Sequence, residues 1–233
     1  MTQSGDQFAS VDDEVTLVTA MCGVGRAAVA AGLVVGSGGN LSARLPGGRT
    51  CWVTRAGTWF DRLTPADFVE VAIADGAVSG PGAPPSTEVQ LHLATYRVRP
   101  DVNAIVHLHP QIAVMLDALG ETVRLITSDH LYYLRRVARV PFYPPGTAEL
   151  ADAAAAAVAD GTNCLILAHH GCSVLGADVA MAHRRASNLD EAARLTYRAL
   201  LLAGGLPGRA IPECPWELPE NSAPPASPPD GLI

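Results

Sequence analysis

The 233-residue chain contains no lysine; all sixteen of its basic residues are arginine. That absence excludes Schiff-base catalysis by a lysine amine, the phosphate-binding lysine of a P-loop and the Ser-x-x-Lys nucleophile. Cysteine is sparse too. Cys22, Cys51, Cys164, Cys172 and Cys214 are odd in number and show no C-x-x-C spacing, so neither a disulfide framework nor a zinc ribbon is expected. Positive charge is in deficit: a net charge of −7 and a pI near 5.4 argue against nucleic acid or an anionic membrane as partner. No stretch of about 20 apolar residues is free of charges or breakers, so no transmembrane span is expected. The polar, acidic start has no basic segment followed by an apolar one. No signal peptide is expected from it, and the location read from the sequence is cytoplasmic.

Apolar residues make up 48% of the chain and charged ones 17%, an ordinary globular composition long enough for one sizeable domain. Residues 1–11 read as a flexible start and 12–207 as the folded domain. A Pro/Ser-rich tail, 208–233, reads as disordered or loosely draped. Apolar spacing predicts a helix over 12–31, then short strands at 41–44 and 50–54 joined by Gly47-Gly48. A helical turn and strand follow over 62–71, and a Gly/Pro linker at 80–85 leads to a helix capped by Ser86 and running to 98. A continuous apolar strand occupies 102–109, with a short helix after it to 119. Gly146-Thr147 opens an Ala-rich helix ending near 160. A second buried strand at 163–168 returns through Ser173-Val174-Leu175, and a long amphipathic helix over 177–203 ends at Gly204-Gly205. Interleaved strands and helices predict an α/β domain with its sheet covered on both faces.

Three segments can carry chemistry. In Ile105-Val106-His107-Leu108-His109-Pro110, strand geometry projects His107 and His109 from one face of an otherwise apolar strand. Ala168-His169-His170-Gly171 ends a second buried strand, where one of the two histidines can complete a three-imidazole set with an open fourth position, as in catalytic zinc sites. His169 and His170 point to opposite faces, so only one joins. Pro85-Ser86-Thr87-Glu88 reads either as a helix cap with a dipole-favoured acid, or as an anion pocket with Glu88 turned to a metal. His92, one turn on, shares the face of Glu88 and reads as support or packing. Gly36-Ser37-Gly38-Gly39-Asn40-Leu41-Ser42 is not a dinucleotide fingerprint, but its backbone can cradle a phosphate.

Six blocks in order resemble the class II aldolase/adducin family: Gly39-Asn40-Leu41-Ser42-x-Arg44, Val53-Thr54-x-x-Gly57, Pro85-Ser86-Thr87-Glu88-x3-His92, His107-x-His109-Pro110, Pro141-x4-Gly146-Thr147 and His170-Gly171-x3-Leu175-Gly176. The resemblance covers roughly residues 12–205. It implies a three-layer α/β/α sandwich around a central sheet and a homotetramer with active sites at subunit interfaces. It also implies a divalent metal on His107, His109 and His170, with Zn2+ first and Mn2+, Co2+ or Fe2+ as alternatives. Glu88 matches the family's general acid/base. Asn40, Thr54, Gly57, Ser86 and Thr87 match its phosphate pocket. Two departures stand out. Ala56 replaces a hydroxyl residue, and Arg55 replaces a proline; the guanidinium of Arg55 is expected either on the substrate's anionic group or paired outward with Asp61. The stretch Ser128-Asp129-His130-Leu131-Tyr132-Tyr133 lies where the family's aldolases carry a catalytic tyrosine from a neighbouring subunit, making Tyr132, Tyr133 and His130 its candidates.

The resemblance therefore implies a metal-dependent carbon–carbon lyase acting on a small-molecule substrate, with aldol cleavage of a small sugar phosphate through a metal-stabilised enediolate as the first reading. The second is decarboxylation of a sugar acid or hydroxy-aromatic acid on the same apparatus. A pentulose-phosphate 4-epimerase fits less well, because the family's epimerases generally have aspartate where Glu88 stands. An adducin-like interaction module fits poorly, because such modules lack the three histidines. A non-haem iron oxygenase built on the fold is a further alternative.

Overall fold

The computed structural model describes residues 13–204, 211 and 213–215; the expected flexible start at 1–11 and most of the 208–233 tail lie outside the described residues. The side chains of strand β5 (Ala104–Leu108) sort between two cores. Ala104, Val106 and Leu108 pack into one apolar cluster while Ile105 enters another, as the two-residue period of a strand requires. The first cluster is closed by helices α1 (Glu14–Ala30), α3 (Gln111–Ala118), α4 (Ser128–Leu134) and α6 (Val179–Gly204). Helices α2 (Val89–Val98) and α5 (Ala148–Val158) close the second. Between them lies an eight-stranded sheet in the order β4-β3-β2-β1-β5-β8-β7-β6. Its other strands are β1 (Gly39–Ala43), β2 (Thr50–Thr54), β3 (Phe68–Ala72), β4 (Val78–Ser79), β6 (Ala138–Val140), β7 (Cys164–Leu167) and β8 (Gly171–Gly176). β6 pairs with β7 in parallel, and the other pairings are antiparallel. The expected three-layer α/β/α sandwich is the architecture found.

Local chemistry explains most boundaries. Asp13 caps α1 by accepting the Thr16 amide at 2.8 Å, and Thr147 caps α5 through the Leu150 amide. The expected cap at Ser86 is corrected: α2 starts three residues later, with Glu88 in the cap position. The Ser86 amide instead donates to the Thr54 carbonyl, and Arg55 bridges to Pro85, so residues 85–86 lie extended along the end of β2. Helix α4 and the short strands β4 and β6 were not anticipated. In α4, the Thr127 hydroxyl accepts from the His130 amide while the His130 ring reaches back, so histidine stands where a capping box usually has glutamate. Part of the tail is described: the Cys214 amide donates to the Leu125 carbonyl at 2.8 Å.

The absence of lysine has a structural counterpart in buried guanidinium groups. Arg99, at the end of α2, donates to both Asp101 oxygens, to the Val158 and Thr162 carbonyls and to Asn163 Oδ1. Arg44 donates to the carbonyls of Val102, Arg99 and Pro100. These planar forks gather loop carbonyls that a single ammonium cannot span. Arg99→Lys should therefore lower the unfolding free energy by about 3 kcal/mol, the scale of a broken buried polar network. Urea unfolding of the two proteins side by side checks this; a loss below about 0.5 kcal/mol would mean that the fork adds nothing to an ordinary surface charge.

Candidate active site

On the α2 side of the sheet, β5 offers His107, flanked in register by Asn40 of β1 and Ser173 of β8. His109 follows two residues later, just past the strand end. Glycines let the neighbouring strands close in here. Gly39 has φ +126°, and a Cβ on it would sit 2.6 Å from the His107 carbonyl; a Cβ on Gly171 would meet the Leu108 carbonyl. The third imidazole arrives from the turn between β7 and β8. His169 takes a left-handed φ of 55°, costly for a residue with a side chain, and Asp117 holds it there. Asp117 Oδ2 accepts the His169 amide at 3.1 Å, while Oδ1 accepts Arg139 Nε at 2.5 Å. The reversal turns His169 towards Phe142, with ring centroids 6.3 Å apart, and His170 towards the other two rings.

The rings of His107, His109 and His170 have centroids 4.9, 4.8 and 5.1 Å apart. Their Nε2 atoms face inward: His107 Nε2 is 3.0 Å from His109 Nε2. Glu88 completes the group, its Oε2 3.2 Å from His107 Nε2 and its Oε1 3.3 Å from His170 Nε2. All four donor atoms lie within 4.8 Å of one another. Burial opposes the charge on Glu88, but the hydrogen bond from His107 and the fields of His107, His170 and His92 outweigh it, and its pKa falls to about 2. Burial, with His107 and His170 beside it, brings His109 down to about 4; burial and His107 also depress His170. Convergent imidazoles and an ionised carboxylate form a donor set for a divalent first-row cation. Among the described residues Glu88 Oε1 has no hydrogen-bond partner, and it lies buried beside His170 with lone pairs left for such an ion. The residues present fit a divalent metal.

A cavity of about 220 Å³ opens beside this group, lined by Asn40, Arg55, Gly57, Ser86, Thr87, Glu88 and His109 among others. Thr54, expected with them, does not line it: its hydroxyl is buried and accepts the Leu41 amide at 3.1 Å, joining β1 to β2. Asn40 is also committed, donating from Nδ2 to Glu88 Oε2 at 3.1 Å. Arg55 reaches the cavity wall, but its guanidinium donates to the carbonyls of Ala66, Ala83 and Pro81. Asp61 pairs with Arg62, not with Arg55. Ser37, from the glycine-rich segment read as a phosphate cradle, lines the cavity, and one polar lining residue, Thr58, escaped the sequence reading. Thr58 stands on the other side of Gly57 from Ala56, and its hydroxyl donates to the Arg55 carbonyl at 3.0 Å. Tyr132 and Tyr133 lie on α4 and do not line this cavity; the Tyr133 carbonyl accepts from Arg185, and the Arg184 guanidinium lies 5.6 Å over its ring. His130 is buried on the same helix, 3.6 Å from Glu191.

Two measurements probe this geometry. His107→Ala, His109→Ala or His170→Ala should leave protein that retains little divalent metal after dialysis, whereas His169→Gly should keep the full load; elemental analysis decides, and a loaded His170→Ala would remove that ring from the donor set. The second is acid stability. His92, fully buried, is held at about 3 against an ordinary 6.5, chiefly by burial and then by His107. Below pH 6.5 the unfolded chain therefore takes up a proton that the folded chain refuses, so stability is full above that pH and is lost as pH falls towards 3. Between pH 7.5 and 5, chelator-treated protein should lose on the order of 2 kcal/mol through this ring alone. Urea melts at the two pH values read the loss, and equal midpoints would contradict it.

The profile of the Class II Aldolase and Adducin N-terminal domain matches residues 19–197. An L-fuculose phosphate aldolase of Methanocaldococcus jannaschii is 33% identical over 169 residues, covering 72% of this chain and 89% of the relative. A 3-oxo-tetronate 4-phosphate decarboxylase of Escherichia coli is 35% identical over 171 residues, covering 71% and 79%. The crystal structure of an L-fuculose-1-phosphate aldolase from Thermus thermophilus superposes with a TM-score of 0.70 at 29% identity, over 84% of this chain and 98% of that one. Sequence profile, relatives and fold agree: this chain belongs to the class II aldolase and adducin family.

Proposed function

We propose that the protein is a zinc-dependent carbon–carbon lyase that cleaves a small phosphorylated hydroxy-carbonyl compound in the aldol sense. The observation that carries this reading is an ionised, nearly buried carboxylate, Glu88, within 3.3 Å of two imidazoles of a convergent trio, at the wall of a cavity of small-molecule size. His107, His109 and His170 would hold the cation, leaving a position open towards the cavity. When bound, such an ion acts as a Lewis acid, polarising the substrate carbonyl and offsetting the negative charge that bond scission leaves.

The chain's own residues do the rest. Glu88, ionised at rest and held at Oε2 by Asn40, takes the proton that the substrate hydroxyl releases as it becomes the departing aldehyde's carbonyl, and returns it to the carbon from which the bond has broken. The backbone amides of Gly57, Thr58 and Thr87 and the hydroxyls of Ser86 and Thr87 stand along the cavity for the phosphate. Arg55, with its donors on three carbonyls, serves by fixing the wall formed by residues 81–83. Tyr132 or Tyr133 acts in a neighbouring subunit of a homotetramer, consistent with their absence from their own chain's cavity.

The E. coli decarboxylase likeness favours a second reading, loss of carbon dioxide from a phosphorylated oxo acid. It needs the same metal, the same Glu88 and only a different leaving group.

Purified, metal-loaded protein should therefore split L-fuculose 1-phosphate or a related sugar phosphate into an aldehyde and a phosphorylated ketone. Carbon dioxide from a 3-oxo acid phosphate, with no aldehyde from any sugar phosphate, would select the second reading instead. Glu88→Gln should keep its metal and lose about 10²-fold or more in turnover, the scale of a missing general acid. Mixed with a Tyr132→Phe, Tyr133→Phe double variant, it should recover activity if sites are shared between subunits. A mixture no more active than its parts would place the tyrosines outside the reaction.

A further inference from the structure

Behind the candidate metal group, the layer between β1 and α2 contains a second string of polar atoms. Asn40 and Ser42 stand two residues apart on β1, while their neighbours Leu41 and Ala43 enter the opposite core. His92 and Tyr96 stand four apart on α2 and so share one side of it. All four are buried, His92 completely. Tyr96 Oη lies 2.8 Å from Ser42 Oγ, and Ser42 Oγ lies 2.6 Å from His92 Nδ1. His92 Nε2 meets Asn40 Oδ1, and Asn40 Nδ2 donates to Glu88 Oε2 at 3.1 Å.

The chemistry of the end group sets the direction of the whole string. An ionised carboxylate only accepts, so Asn40 must turn its amide nitrogen to Glu88 and its oxygen to His92. Nε2 of His92 must then bear the proton. In a neutral imidazole that leaves Nδ1 as the acceptor, so Ser42 donates its hydroxyl to Nδ1 and takes the Tyr96 hydroxyl proton in turn. Each member donates one step towards Glu88. At the far end, the Arg44 guanidinium sits 4.7 Å over the Tyr96 ring and is itself tied to three carbonyls.

Core packing does not call for such a string. The surrounding cluster is Val53, Leu91, Leu93, Ile105 and Leu175, where apolar side chains would avoid the desolvation of four polar groups. The string ends at a carboxylate on the cavity wall. A half-turn of the Asn40 amide would set two oxygens face to face there and drive the carboxylate off its place. His92 forbids that half-turn, because its Nε2–H would then face an NH2 group.

We propose that His92, Ser42 and Tyr96 are positioning residues: they lock the Asn40 amide in the one orientation that holds Glu88 by Oε2, and so fix the carboxylate against the histidine trio at the cavity wall. The proposal rests on Glu88 as the proton carrier of the reaction proposed above, and its test is built to fail separately from that reading.

Long-range proton–nitrogen correlation on ring-labelled protein reads the tautomer of His92 without any substrate. The expected state at pH 7 is a neutral ring protonated at Nε2; an Nδ1–H ring or an imidazolium overturns the string's direction and the proposal with it. In turnover, His92→Phe should lower kcat about tenfold, the effect of losing one charge-coupled hydrogen bond, with KM and metal content within about twofold of the parent. His92→Gln, whose amide nitrogen reaches the Nε2 position, should restore most of that loss. An unchanged kcat in His92→Phe, or an equal loss in both variants, overturns the proposal. Should His92→Phe not fold, Tyr96→Phe and Ser42→Ala each remove a single oxygen, and each should lower kcat about threefold at constant KM. Parent-like kcat in both overturns the proposal as well. Added to Glu88→Gln, His92→Phe should cost nothing further, because it acts through Glu88; a full additional tenfold loss places its effect elsewhere. If Glu88→Gln alone turns over normally, the proton-carrier reading fails while the tautomer result still stands or falls by itself.

Discussion

One negative charge, held out of water by two imidazoles and one amide, is the constraint around which this molecule is arranged. An isolated carboxylate as buried as Glu88 would protonate or swing into solvent. It remains ionised because His107 and His170 approach its two oxygens and Asn40 donates to one of them. Each partner comes from a different element: β5, the turn before β8, and β1. The sheet order β1-β5-β8 puts those elements side by side, and antiparallel pairing brings the His107 end of β5 against the start of both neighbours. The layers on either side keep that end rigid, with Val106 and Leu108 anchored in one core and Ile105 in the other.

Some of this was legible in the sequence, and the division follows the range of the forces involved. The same-face pair His107 and His109 could be read because strand alternation is local. The joining of only one of His169 and His170 could also be read, though the mechanism differs: a left-handed turn, not strand alternation, separates the two rings. Ser86 as the helix cap was only half right: its hydroxyl accepts the Glu88 amide at 3.3 Å, but its amide is pinned to the Thr54 carbonyl at the end of β2 and the helix begins at Val89. Thr54 itself looked like pocket and proved to be a bolt between strands, since nothing in its neighbours reveals that the Leu41 amide needs an acceptor. The string from Tyr96 to Asn40 was invisible for the same reason: it links residues about fifty apart that only the packing of α2 on β1 brings together.

Both proposed lyase readings use one apparatus. Under the proposed mechanism an aldehyde and carbon dioxide differ only as departing pieces, while the carbon that Glu88 would protonate is the same. Arg55, Ala56 and Thr58 line the same cavity as Asn40, Glu88 and His109, so the part of the substrate away from the histidines would meet them. Arginine as the sole basic residue suits this division of labour. Buried forks such as those of Arg44 and Arg99 tie loops by geometry, and no mobile ammonium competes with the cation for the carboxylate.

The carboxylate of Asp117 deserves a mechanical description. It grips the amide of His169 with one oxygen and Arg139 of β6, the outermost strand, with the other. The rim of the sheet and the imidazole of His170 are thus linked in series, like a tuning peg and its string. A substitution at half-exposed Arg139, far from anything a substrate touches, would slacken the turn and tilt the ring. A change at Arg139 thus reaches the neighbour of His170 through two hydrogen bonds, by way of residues that do not line the cavity.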